Sequence, residues 1–93
     1  MHLKWTRPAL GDLKEAGIFI ASDNPEAAER MAERVREAVE YLMELPNMGR
    51  PGRVSGTREL VVSGTPFIVV YRVAAPAVQI LRVLHHARNW PTV

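Results

Sequence analysis

Apolar residues recur along this chain first at helical spacing and then at strand spacing, with the change of period just after residue 45. Leu3 and Trp5 flank Lys4 and predict a short strand over residues 2–5. Thr6 can cap a first helix, and Pro8 is tolerated in its first turn. Ala9, Leu13, Ala16 and Ile20 then fall on one apolar stripe. Ser-Asp-Asn-Pro at 22–25 breaks the chain. Asn24 is a good N-cap, Pro25 suits the first helical position, and Glu26 complements the positive end of the helix dipole. The second helix is expected to run to about Glu44, with Ala28, Met31, Val35, Val39 and Leu42 on its inner face. Glu26–Arg30 and Arg36–Glu40 are spaced as i,i+4 pairs, contributing about 0.2–0.5 kcal/mol each.

Pro46, Gly49, Pro51 and Gly52 mark a loop, after which the period becomes two. Strands are expected at 58–63, 67–73 and 78–85. Gly64-Thr65-Pro66 joins the first pair, and a turn holding Pro76 joins the second. The middle strand is apolar on both faces, which places it centrally. Short connections make these strands antiparallel hairpins. The order is β-α-α-β-β-β, an α+β fold in which a helical hairpin packs on one face of a curved antiparallel sheet. Residues 1–93 are expected to form a single domain.

Composition narrows the chemistry. Apolar residues make up 47% and charged residues 24%, which is globular rather than disordered. With no cysteine there is no disulfide and no thiolate chemistry, in keeping with a reducing cytosol. The three histidines show no HxxxH or HxH spacing, so no metal is expected, and Gly-Arg-Pro-Gly-Arg-Val-Ser-Gly is not a phosphate loop. No cofactor is expected. No apolar run approaches a membrane span, and the first residues do not resemble a secretion signal, so a cytoplasmic protein with no membrane partner is expected.

The net charge of +2 conceals a split. From residue 46 onward six arginines face one acid, Glu59, whereas residues 1–45 hold six basic and nine acidic side chains. A basic sheet region beside acidic helices suggests an anionic partner on one face. Arg50, Arg53, Arg58, Arg82, His85, His86, Arg88 and Trp90 are the candidates for that face. Arg50 and Arg53 lie in the Gly/Pro loop, where long cations stay solvated. Arg58 can bind an anionic group or form a structural salt bridge, and it points away from Glu59. By alternation Arg82 shares a face with Ile80 and Leu84, either as a groove cation or as an edge residue with its head in water. His85 and His86 point to opposite faces, as acid–base groups or as strand-end residues bonded to backbone. Trp90 is a plug over the open sheet or a stacking platform, while Tyr71 and Trp5 are read as core.

The order of elements, the Gly-Arg-x-Gly-Arg-x-x-Gly-Thr-Arg-Glu-Leu segment, the Ile-Val-Val-Tyr-Arg-Val strand and the Ile-Leu-Arg-Val-Leu-His-His-Ala-Arg-Asn-Trp-Pro ending resemble the RelE/ParE superfamily of toxins from type II toxin–antitoxin modules. The resemblance implies a small cytoplasmic growth inhibitor. It also implies a cognate antitoxin whose acidic C-terminal segment, disordered when free, wraps the toxin.

The superfamily divides by target. RelE-like members are ribosome-dependent, metal-independent mRNA endonucleases, and their central strand carries an arginine that holds the scissile phosphate. Here that position is Ile68, which cannot stabilise a developing anion. ParE-like members inhibit DNA gyrase without catalytic residues of their own, and show an apolar strand here and a Val-Leu-His-x-x-Arg type of ending, as in Val83 to Arg88. The ParE-like reading is therefore favoured. The alternatives are a ribosome-dependent endonuclease acting on mRNA, with Arg82, His85 and Arg88 as its catalytic candidates, or a non-toxic antitoxin-binding module.

Overall fold

In the computed structural model, which describes residues 1–85 and Trp90 and omits the side chains of residues 18–22, two helices pack on one face of a five-stranded sheet. The elements run β1 (His2–Trp5), α1 (Arg7–Asp23), α2 (Pro25–Tyr41), β2 (Arg50–Pro51), β3 (Arg58–Val61), β4 (Phe67–Ala74) and β5 (Ala77–His85). In space the strands lie in the order β1-β5-β4-β3-β2. The expected antiparallel arrangement holds from β2 to β5. The first strand departs from it, because β1 lies parallel to β5, with His2 opposite Ala77 and Trp5 opposite Ile80. The helical hairpin separates β1 from the rest in sequence, so no tight turn forces its direction.

The helix signals act as expected. Asn24 Oδ1 accepts from the Ala27 N–H at 3.1 Å, with Pro25 in the first turn. Thr6 Oγ1 accepts from the Ala9 N–H at 3.4 Å, and the Thr6 N–H donates to the Ile80 carbonyl at 3.1 Å, so one residue ends β1 and starts α1. Ala9, Val35 and Val39 from the helices and Leu42 at the cap of α2 meet Val69, Tyr71, Val78, Ile80 and Val83 from the sheet, with Leu13, Ala16 and Met31 beside them. Ile20 of the expected stripe falls outside the described side chains. The expected Arg36–Glu40 pairing is replaced by Arg36–Glu33 at 2.7 Å.

The second helix stops at Tyr41 rather than Glu44, and a series of turns carries the chain to β2. Two side chains hold that connection from beneath. The fully buried Tyr71 hydroxyl donates to the Pro46 carbonyl and accepts from the Gly49 N–H, both at 2.8 Å. Gly49 is required there, since a Cβ would stand 2.7 Å from the Tyr71 oxygen. Arg58 donates to the carbonyls of Gly49 at 2.7 Å and Asn47 at 3.4 Å.

Burial pushes the Tyr71 phenol above its ordinary value of 10.0, against the Gly49 hydrogen bond and the charge of Arg58. The folded protein therefore keeps this phenol neutral at a pH where the unfolded chain ionises it. The resulting stabilisation is complete below about pH 10 and is lost as pH rises through the higher folded value. Tyr71→Phe leaves the Pro46 carbonyl and Gly49 N–H without their partner and should cost about 1–3 kcal/mol in urea titrations at pH 7. The gap between parent and variant should narrow above pH 10. A gap that stays constant through alkaline pH would show that the phenol is not held neutral by the fold.

Candidate functional site

The candidate site grows out of a mismatch in strand length. β1 covers only residues 77–80 of the nine-residue β5, so the outer edge of β5 continues past it with no strand neighbour among the described residues. A bulge lies at the same place: Val70 pairs with Arg82 and Tyr71 with Ile80, which leaves Leu81 as the extra residue. It turns Ile80 and Val83 into the core, and it places Arg82 with Leu84 opposite Val70 and Ile68 on the other face. This corrects the sequence-based expectation that Arg82 shares a face with both Ile80 and Leu84. Simple alternation fails across a bulge.

Asp12, on α1 and 8% exposed, satisfies the uncovered edge. Its Oδ2 accepts from the Val83 N–H at 3.0 Å and from Arg82 Nε at 2.7 Å, while Oδ1 accepts from a terminal nitrogen of Arg82 at 2.9 Å. One carboxylate thus replaces a missing strand neighbour and holds a guanidinium in the paired geometry that suits it. The hydrogen bond to Asp12 is the main reason that Arg82 is shifted above its ordinary basicity, with burial opposing it. This cation remains charged throughout the physiological range.

On the sheet face away from the helices, Ile68, Val70 and Leu84 line a small hollow with Arg53, Glu59, His85 and Trp90 around it. The Trp90 ring lies over this hollow, with the Arg82 guanidinium carbon 6.0 Å from its centroid, within cation–π range. Arg53 donates to the Trp90 carbonyl at 3.4 Å, and the buried Trp90 Nε1 has no acceptor among the described residues. Glu59, 2% exposed, takes the Arg53 N–H at 2.9 Å and Arg50 at 3.3 Å, and Arg53 Nε lies 3.5 Å from it. His85 stands edge-on to Phe67 with ring centroids 6.3 Å apart.

The structure therefore brings Arg53, Arg82 and Trp90 to the rim of one hollow, with Arg50 joined through Glu59, whereas His85 borders the hollow but turns its ring to Phe67 on the helix face. Arg58 is drawn away to hold the 47–49 backbone. His86 and Arg88 lie outside the described residues. Two residues that organise the rim, Asp12 and Glu59, escaped the sequence reading as site residues. Glu59 had a signal, since it is the sole acid after residue 45. Asp12 had only a polar position next to a helical apolar stripe. Among the described residues no group of three His, Asp or Glu could hold a metal ion, and no helix is long and apolar enough to cross a membrane.

A family model described as ParE toxin of type II toxin-antitoxin system, parDE, matches residues 3–90. The chain is 45% identical over 92 residues to a protein named Putative toxin Y4kP of Sinorhizobium fredii, covering 99% of this chain and 95% of that one. It is 42% identical over 84 residues to Toxin RelE2 of Caulobacter vibrioides, covering 90% and 93%. A solved structure titled Chromosomal ParDE TA system from P. aeruginosa superposes with a TM-score of 0.82 at 35% identity, over 91% of this chain and 95% of that one. A YoeB/ParE toxin from Agrobacterium tumefaciens, 19% identical, shares the fold with a TM-score of 0.65 over 92% of this chain and 99% of that one.

Replacing Asp12 tests the edge. Asp12→Ala leaves the Val83 N–H and a largely buried guanidinium without their acceptor, and should cost on the order of 3 kcal/mol in denaturant unfolding. Arg82→Met keeps the Val83 bond but strands the more deeply buried Asp12 carboxylate without its counter-charge, so the comparison is made between double variants that leave no charge unpaired. D12N/R82M retains an amide oxygen for the Val83 N–H and should be more stable than D12A/R82M by about 1 kcal/mol. Equal stability of the two double variants would mean that the carboxylate serves Arg82 alone.

Proposed function

This chain belongs to the ParE family of toxins from type II toxin–antitoxin systems, and we propose that it is a non-catalytic inhibitor of DNA gyrase. The observation that carries this reading is the character of the open sheet face at Ile68. Where the ribonuclease branch is expected to present a phosphate-holding cation, this chain has Ile68 in an apolar hollow with Val70 and Leu84, covered by Trp90. The arginines at the rim are already matched to carboxylates, Arg82 to Asp12 and Arg50 and Arg53 to Glu59. Phosphoryl transfer needs charge aimed at the reacting phosphate, and this arrangement supplies an aromatic and apolar surface with balanced charge at its border. Such a surface suits protein recognition.

In this reading Arg50, Arg53 and Trp90 face the target, Arg82 positions Trp90, and His85, His86 and Arg88 are further target-binding residues. Arg58 contributes by holding the loop. The toxin acts in the cytoplasm and is silenced by a cognate antitoxin, whose acidic C-terminal segment covers the exposed surface and competes for the rim arginines. The ParDE title of the solved relative supports an antitoxin partner. The relative named RelE2 keeps one second reading in view, a ribosome-dependent endonuclease.

Purified chain should stabilise cleaved plasmid in the presence of gyrase and ATP, and should leave mRNA on programmed ribosomes intact. Ribosome-dependent cuts with no effect on gyrase would reverse the assignment.

A further inference from the structure

The C-terminal end of α2 departs from the rules that stabilise helices. Glu37 and Glu40 close the helix and Glu44 follows it, with no basic residue in the last turn. Carboxylates at a helix C-terminus oppose the negative end of the dipole. Glu37–Glu40 and Glu40–Glu44 are also like-charged neighbours at i,i+3 and i,i+4 spacing. Among the described residues none of the three has an ion-pair partner. All three line one shallow hollow together with Tyr41 and Met43. Tyr41 is 59% exposed, and Leu45 and Met48 are exposed on the turns that follow.

This apolar surface does not stand on a frayed end. The same segment is held from beneath by Tyr71, through Pro46 and Gly49, and by Arg58, through Asn47 and Gly49. Local choices that lower stability while the backbone beneath them is firmly held mark a surface kept for binding.

We infer that this hollow docks a basic, amphipathic segment of a protein partner. A lysine or arginine of the segment would sit among Glu37, Glu40 and Glu44 against the Tyr41 ring, and its apolar residues would lie on Met43, Leu45 and Met48. An acidic antitoxin segment and a nucleic-acid backbone both carry the wrong sign for this site. The surface is therefore separate from the basic rim of the sheet and opposite to it in charge. Naming the partner as the toxin's protein target, gyrase, rests on the function proposed above.

The test uses the full chain, a triple variant E37Q/E40Q/E44Q, and L45S/M48S, against two probes: gyrase holoenzyme, and a synthetic amphipathic helix of Lys and Leu with a Glu/Leu counterpart. The triple variant relieves repulsion, so its unfolding midpoint should equal or exceed that of the parent. Its affinity for gyrase and for the Lys/Leu helix should nevertheless fall by about tenfold or more, equivalent to about 1.4 kcal/mol. L45S/M48S should weaken both as well, and the Glu/Leu helix should not bind. If the parent binds gyrase and both variants bind it equally well, the docking surface is overturned and the gyrase reading stands. If the parent does not bind gyrase, the gyrase reading falls and the peptides decide the surface. Equal binding of the two helices, or no loss in the triple variant, then overturns it.

Discussion

The uncovered half of β5 is the constraint on which the rest of this structure depends. A nine-residue strand with a four-residue neighbour leaves edge N–H groups that must find acceptors where α1 packs against the sheet. Asp12 meets that demand at Val83, and in doing so ties α1 to the sheet and captures Arg82. The bulge at Leu81 belongs to the same solution, because it brings Val83 inward with Ile80 while Arg82 faces the other side. Arg82 in turn faces Trp90, so the cover over the Ile68 hollow is coupled to an edge repair across the strand. A side chain that reads as a groove cation in the sequence is thus a structural relay from helix to tail.

Glu59 plays a parallel part on the far side of the sheet. It is almost fully buried and gathers two arginines and a backbone N–H around one carboxylate. Burying an unpaired charge is costly, so the loop arginines are held as much by the carboxylate's need for partners as by any ligand's. The charge split along the chain is real, but the folded surface is less basic than the split suggests. Two of the ten acids are spent on the arginines that looked most available.

Much of the fold was legible because its signals are local. Asn24-Pro25 marks the second helix, the period-two runs mark β3 to β5, and the two-sided apolar run 67–73 marks the central strand. What escaped was nonlocal. The parallel pairing of β1 joins residues more than seventy positions apart, and no periodicity encodes it. The bulge is invisible to alternation, and it alone changes which neighbours Arg82 keeps. Arg58 could be read as a cation, but not as a donor to the carbonyls of Asn47 and Gly49, because that role depends on where the loop folds back. Tyr71 is legible as a core residue, yet its hydroxyl, which holds the 46–49 connection, has no sequence signature.

These features together separate two kinds of charge in one small domain. The carboxylates that complete the architecture, Asp12 and Glu59, are buried and fully engaged. Those at the end of α2 are exposed, mutually repelling and without ion-pair partners among the described residues. The arginines follow the same division, since Arg58 and Arg82 are held by the fold while Arg50 and Arg53 keep about half of their side-chain surface in water at 57% and 45%. A domain of this size has little stability to spare. Unfavourable surface charge is then informative in proportion to how easily it could have been avoided. A single lysine in the last turn of α2 would relieve the repulsion and suit the dipole. Its absence, beside an aromatic ring left open to water, identifies the end of α2 as a surface shaped by something outside the chain.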